Sequence, residues 1–118
     1  MKRVASHRLP PEALELVAAR FRALGEPLRL QLLNRLMEGE CTVSTLVEAT
    51  GAGQANVSKH LGVLREAGLV AFRKEGAASV YRVADPGLRE LCDLVCRRLG
   101  EELAAKAAHF QRPTNRGT

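Results

Sequence analysis

The chain has 118 residues, a formal charge of +5 and a hydrophobic fraction of 46%. That is the size of one domain able to bury its own core, and three cysteines are too few, and odd in number, for a disulfide scaffold. No apolar run approaches the ~20 residues of a membrane span, and no apolar signal stretch follows the basic N-terminus, so a small cytoplasmic protein is expected.

Residues 1–10 carry Lys2, Arg3 and Arg8 without an acid, and read as a basic N-terminal arm. Pro10-Pro11 suits the first turn of a helix, and Leu14, Val17, Ala18, Phe21 and Leu24 continue it at helical spacing. Gly25 interrupts, Pro27 restarts a helix to about Glu38, and Leu28, Leu32, Leu33 and Leu36 lie along one side. Thr42 is a plausible N-cap for a short helix over 43–49. Gly51-Ala52-Gly53 is a tight turn, and the next helix runs over about 54–67 with Val57, Leu61 and Leu64 inward and Gly68 as its left-handed stop.

The period then changes. Residues 69–73 and 79–83 alternate as strands around the Glu75-Gly76 turn, which makes a β-hairpin. A last helix is expected over 86–108, with Leu88, Leu91, Cys92, Val95, Leu99 and Leu103 as its stripe. Residues 109–118 are polar and read as a flexible tail, so the domain itself spans 11–108. The expected class is mainly α with a β-hairpin wing (α+β), in the order α-α-α-α-β-β-α: a winged helix-turn-helix.

The positive charge is clustered rather than spread. Lys59, Arg65, Arg73, Lys74 and Arg82 face only Glu66 and Glu75 within residues 53–82, and Arg112 and Arg116 add to the tail. Such a block is the footprint of a nucleic-acid binder. In this fold the second helix of the pair enters the major groove. Gln54, Asn56 and Ser58 can hydrogen-bond base edges there, Gln and Asn pairing bidentately with adenine. Ala55 lies between them, and Lys59 and His60 follow in the next turn. Helix N-terminal N–H groups add affinity for phosphate. Arg73 and Lys74 at the hairpin tip, with Arg82 on the second strand, complete the expected DNA-binding set. The competing reading is that Gln, Asn and Ser are merely favourable helix-start residues.

Phe21-Arg22-Ala23-Leu24-Gly25-Glu26-Pro27-Leu28-Arg29-Leu30 resembles the opening motif of the ArsR/SmtB family of bacterial metalloregulatory repressors. Residues 54–70 resemble that family's recognition helix running into its first wing strand, and Val80-Tyr81-Arg82-Val83 its second strand. The resemblance spans about residues 12–105. It implies a homodimer built from the first and last helices, an inverted-repeat double-stranded DNA operator, and release when an inducer binds. Independently, the first and last helices carry wide apolar stripes that suit a two-fold interface.

The inducer has to be sought residue by residue. The family's Cys-x-Cys arsenic site is not reproduced: the stretch reads Cys41-Thr42-Val43-Ser44-Thr45-Leu46, with one displaced cysteine. Its zinc pattern on the last helix is not reproduced either, since Asp85-x-Gly87 and Arg98-x-x-Glu101 lack both imidazoles. His7, His60 and His109 are scattered and form no metal pattern. Cys92 and Cys96 remain, spaced i,i+4 on one helix face. Two thiolates so placed can grip a soft metal(loid) ion such as As(III), with Cys41 as a weak third candidate, or can be oxidised or persulfidated. Arg97 and Arg98 beside them favour thiolate. Equally, buried cysteines are common packing residues, which leaves a repressor without a small-molecule inducer as the alternative. No cofactor is otherwise implied. A general nucleic-acid-binding module is a further alternative, weakened by the shortage of exposed aromatics. No phosphate loop, nucleophile elbow or paired catalytic carboxylates point to an enzyme.

Overall fold

A computed structural model describes residues 8–117, with side chains to His109. Its elements are α1 (Pro11–Leu24), α2 (Pro27–Leu36), β1 (Cys41–Thr42), α3 (Val43–Thr50), α4 (Gln54–Glu66), β2 (Val70–Glu75), β3 (Ala78–Val83) and α5 (Leu88–Gly117). The described residues divide into two compact units, one ending at Asp85 and the other beginning at Pro86.

In the first unit each helix boundary has a local cause. Pro11 and Pro27 occupy the first turns of α1 and α2, where a missing N–H costs nothing. Glu26 caps α2 by accepting the Arg29 N–H at 2.9 Å, and that bond, aided by His60 and Arg29, outweighs desolvation and holds its carboxyl below the usual range. The Thr42 hydroxyl caps α3 through the Thr45 N–H at 3.2 Å, as the sequence suggests. Gly51 closes α3 at φ 74° and Gly68 follows α4 at φ 79°, both left-handed positions that suit glycine. At Gly68 a Cβ would also meet Arg20 Nη2 at 3.0 Å.

Leu32, Leu46, Val57, Leu61, Leu64 and Leu69 are fully buried and form the core beneath α2, α3 and α4. Burial of a Leu or Val side chain stabilises by about 1.5–3 kcal/mol, so this aliphatic cluster seats the helix-turn-helix without aromatic residues.

The sheet has three strands in the order β1-β3-β2, all antiparallel. In the hairpin Val70 pairs with Val83, Phe72 with Tyr81 and Glu75 with Ala78. The third strand, β1, places Cys41 opposite Tyr81. Two residues carry no period to read, so this strand has no sequence signature and the observed order is α-α-β-α-α-β-β-α.

Two other expectations shift, while the uncovered apolar stripe of α1 accords with the reading given for it. α2 stops at Leu36 rather than Glu38, because Glu38 and Gly39 form tighter turn bonds to Arg35 and Leu36. Leu14, Val17 and Phe21 of α1 are exposed, and only Ala23 of that helix is buried. In the second unit, α5 starts at Leu88 and its helical backbone runs to Gly117, past the tail expected from residue 109. Polar composition argued for a tail, but polarity does not oppose helix, and Pro113 is the only strong breaker there before Gly117. Leu94, Val95, Leu99 and Leu103 of α5 are exposed. Of the expected basic arm, residues 1–7 lie outside the described residues.

Candidate DNA-binding surface

α4 is amphipathic in the way its placement requires. Val57, Leu61 and Leu64 are buried, which turns Gln54, Ala55, Asn56, Ser58 and Lys59 outward, all exposed. Among the described residues none of these five side chains has a hydrogen-bond or ion-pair partner. Gly53 caps α4 without a side-chain bond, so its first-turn N–H groups are not claimed by a capping side chain. The result is a helix N-terminus and a polar face with donors and acceptors to spare.

His60 behaves differently from its neighbours. It is half-buried, and its Nδ1 accepts a hydrogen bond from Arg29 Nη1 at 2.9 Å. The sequence suggested a surface or DNA-facing residue; the structure ties it to α2. Arg29 carries no functional signal in the sequence, since nothing in local spacing announces a contact 31 residues away.

The wing is also more internally bonded than its charge suggested. Arg73 reaches Glu40 Oε1 and Glu75 Oε2, each at 2.8 Å. These bonds raise the already high pKa of its guanidinium. Lys74 Nζ donates weakly to Ser79 Oγ at 3.4 Å. Arg82 is exposed and has no side-chain partner among the described residues. Phe72 and Tyr81 stack with centroids 5.1 Å apart, and Arg65 of α4 lies over the Phe72 ring at 5.1 Å. Stacking and cation–π contact therefore join α4 to the hairpin. In the sequence Arg65 shows only as a charge within the basic block.

The three thiols are free and unlike. Cys41 is buried in β1, and burial pushes its thiol up, with Glu38 adding to the rise and Arg35 opposing it. Cys92 is half-buried and Cys96 exposed on the next turn of α5. Burial raises the Cys92 thiol, and Cys96 and Asp93 raise it further. The expected lowering by Arg97 and Arg98 is thus not what governs Cys92: desolvation and acidic neighbours do. Among the described residues no three His, Cys, Asp or Glu side chains gather where they could hold a metal ion. No helix among them is long and apolar enough to cross a membrane.

Helix-turn-helix, exposed polar face of α4 and hairpin define a winged helix-turn-helix DNA-binding protein. Residues 26–71 match the model of the bacterial regulatory proteins of the arsR family. The uncharacterised HTH-type transcriptional regulator Rv0081 of Mycobacterium tuberculosis is 36% identical over 95 residues, which cover 80% of this chain and 83% of that one. Its crystal structure superposes with a TM-score of 0.76 at 35% identity, covering 85% of this chain and 100% of the other. The probable mercury resistance operon repressor of Streptomyces lividans is 36% identical over 102 residues, 86% of this chain and 81% of the relative. A homodimeric winged helix-turn-helix DNA-binding domain of Mycobacterium bovis superposes with a TM-score of 0.73 at 34% identity, covering 83% and 93% of the two chains. This chain therefore belongs to the ArsR family: it is a transcriptional regulator, not an enzyme.

Proposed function

We propose that the protein is a homodimeric repressor that reads an inverted-repeat operator with α4 and leaves it when an inducer acts on Cys92 and Cys96. The observation that carries the DNA reading is the outer face of Gln54, Ala55, Asn56, Ser58 and Lys59, without a side-chain partner among the described residues, above a fully buried base. Arg82 and Lys74 add phosphate contacts from the wing, and Arg73 contributes less because Glu40 and Glu75 already hold it. Dimerisation is supported by the homodimeric M. bovis neighbour and by apolar residues left exposed on α1 and on α5, among them Leu16 at 74% and Leu103 at 56%. A second copy would cover such faces.

The thiol reading rests on two free sulfurs one turn apart, one of them exposed. The similarity to a probable mercury resistance operon repressor favours a soft, thiol-seeking ion among the candidates. Two sulfurs without a third ligand suit such an ion or a sulfur-transfer oxidant better than a harder metal. The raised Cys92 thiol favours the alternative, in which the cysteines pack and no small molecule acts.

One experiment separates these. A duplex selected from a random library by the protein is used in a competition gel shift, with arsenite, mercuric ion, cadmium or polysulfide added. Release of the wild type but not of Cys92→Ser/Cys96→Ser is expected. If wild type stays bound under all four, the inducer reading fails and the packing alternative stands. If no duplex is preferred over shuffled sequence, the operator reading fails.

A further inference from the structure

The Arg29 side chain makes three hydrogen bonds, each to a different residue. Nε donates to the Ala23 carbonyl at 2.7 Å and Nη2 to the Arg22 carbonyl at 3.1 Å. Both acceptors lie in the last turn of α1, where a cation is favoured by the helix dipole; the Arg22 carbonyl also takes the Gly25 N–H at 3.1 Å. The third donor, Nη1, reaches His60 Nδ1 at 2.9 Å. The backbone N–H of the same residue is held by Glu26, the α2 N-cap. One guanidinium, fixed at its root, therefore joins the end of α1 to the flank of α4.

Packing is incomplete on that side. Beside the guanidinium the seam between α1, α2 and α4 opens into a cleft of about 330 Å³, lined by Arg22, Arg29, Val63 and Glu66 among others. The core leucines fix the buried face of α4, but this flank is spanned by a polar strut across an open seam. His60 is one residue past Lys59 and two past Ser58. A tilt or roll of α4 about its buried face moves those exposed side chains by the most.

We infer that Arg29 is a positioning residue for DNA recognition, which sets the presentation of α4 through the Nδ1 acceptor of His60. Planarity matters here, because the three donors in use sit on three nitrogens held apart in one plane, whereas the donors of an ammonium share a single nitrogen. His60 then serves the interface from behind rather than by its own base contact. The role rests on the DNA-binding reading above and adds the residue that orients it.

The test is a double-mutant cycle on the full chain, with the selected duplex and a shuffled duplex of equal length as probes. Arg29→Gln and His60→Ala are each expected to lower the selected-to-shuffled affinity ratio by about tenfold, as loss of a charge-assisted hydrogen bond does. The double variant should lose no more than the worse single variant, and affinity for the shuffled duplex should hardly change. Arg29→Lys should behave like Arg29→Gln although it keeps the charge, and His60→Asn, which keeps a side-chain acceptor, should retain selectivity. Losses that multiply in the double variant, or that follow the fraction unfolded in urea, would overturn the proposal. Should Arg29→Gln fail to fold, His60→Asn against His60→Ala decides it: equal loss in both overturns the strut. Lack of selectivity in the unaltered chain would overturn the regulatory reading itself, whereas selectivity with multiplying losses overturns the strut alone.

Discussion

α4 and the β2–β3 wing carry the same kind of charge and use it in opposite ways. On α4 the Gln54, Asn56, Ser58 and Lys59 side chains have no partner among the described residues, and the helix is held from beneath by fully buried Val57, Leu61 and Leu64. On the wing Arg73 is bound to two carboxylates and Lys74 touches Ser79, and Arg82 alone of these three cations has no side-chain partner among the described residues. The lesson is that a clustered net charge overstates what is available to a partner. Donors consumed inside the fold contribute shape there, and the free ones contribute recognition.

The largest test of that contrast concerns support. Leu61→Ala, which empties a fully buried site under α4, should cost about 2–5 kcal/mol in urea unfolding. Val80→Ala in the wing, at 8% exposure, should cost distinctly less. Equal losses would mean that hairpin and helix are equally essential to the core.

Asn56→Ala should come next, removing about 1–3 kcal/mol of discrimination between selected and shuffled duplexes. Lys74→Ala should weaken both duplexes alike, as a phosphate contact does. If Lys74→Ala changed selectivity instead, the division between reading helix and non-specific wing would be wrong.

A smaller effect is expected on freeing Arg73. With Glu40→Gln and Glu75→Gln together, its guanidinium loses both anchors, so affinity for any duplex should rise. The slope of log K against log salt should steepen by about 0.9 for one added phosphate contact. An unchanged slope would show that the carboxylates do not restrain Arg73 from DNA.

The smallest concerns the wing's attachment through β1. Burial raises the Cys41 thiol, so at neutral pH it holds less thiolate than a free cysteine. Its alkylation by iodoacetamide should be slower than that of a cysteine peptide and should accelerate as pH rises through and beyond the ordinary thiol range. Alkylation at the rate of the peptide would indicate that β1 peels readily from β3.

Much of the fold was legible because its signals are local. Proline at helix starts, Thr42 as a cap, glycine after α3 and α4, and the change from helical to alternating period are each decided by neighbouring residues. The exposed polar face of α4 was legible too: once Val57, Leu61 and Leu64 point inward, helical geometry leaves Gln54, Asn56, Ser58 and Lys59 outside. β1 was not, since two residues become a strand only when β3 supplies hydrogen bonds. The pairing of Arg73 with Glu40 joins residues 33 apart and was equally silent.

By itself, then, the sequence determined the helices, the hairpin, the family and which residues of α4 face outward, because periodicity and capping act over a few residues. Tertiary structure alone decided which charged and polar groups are still free. That choice depends on atoms from distant segments meeting within about 3 Å, as Arg29 meets His60 and Arg73 meets Glu40, and it separates the side chains that hold the reading head from those left to read.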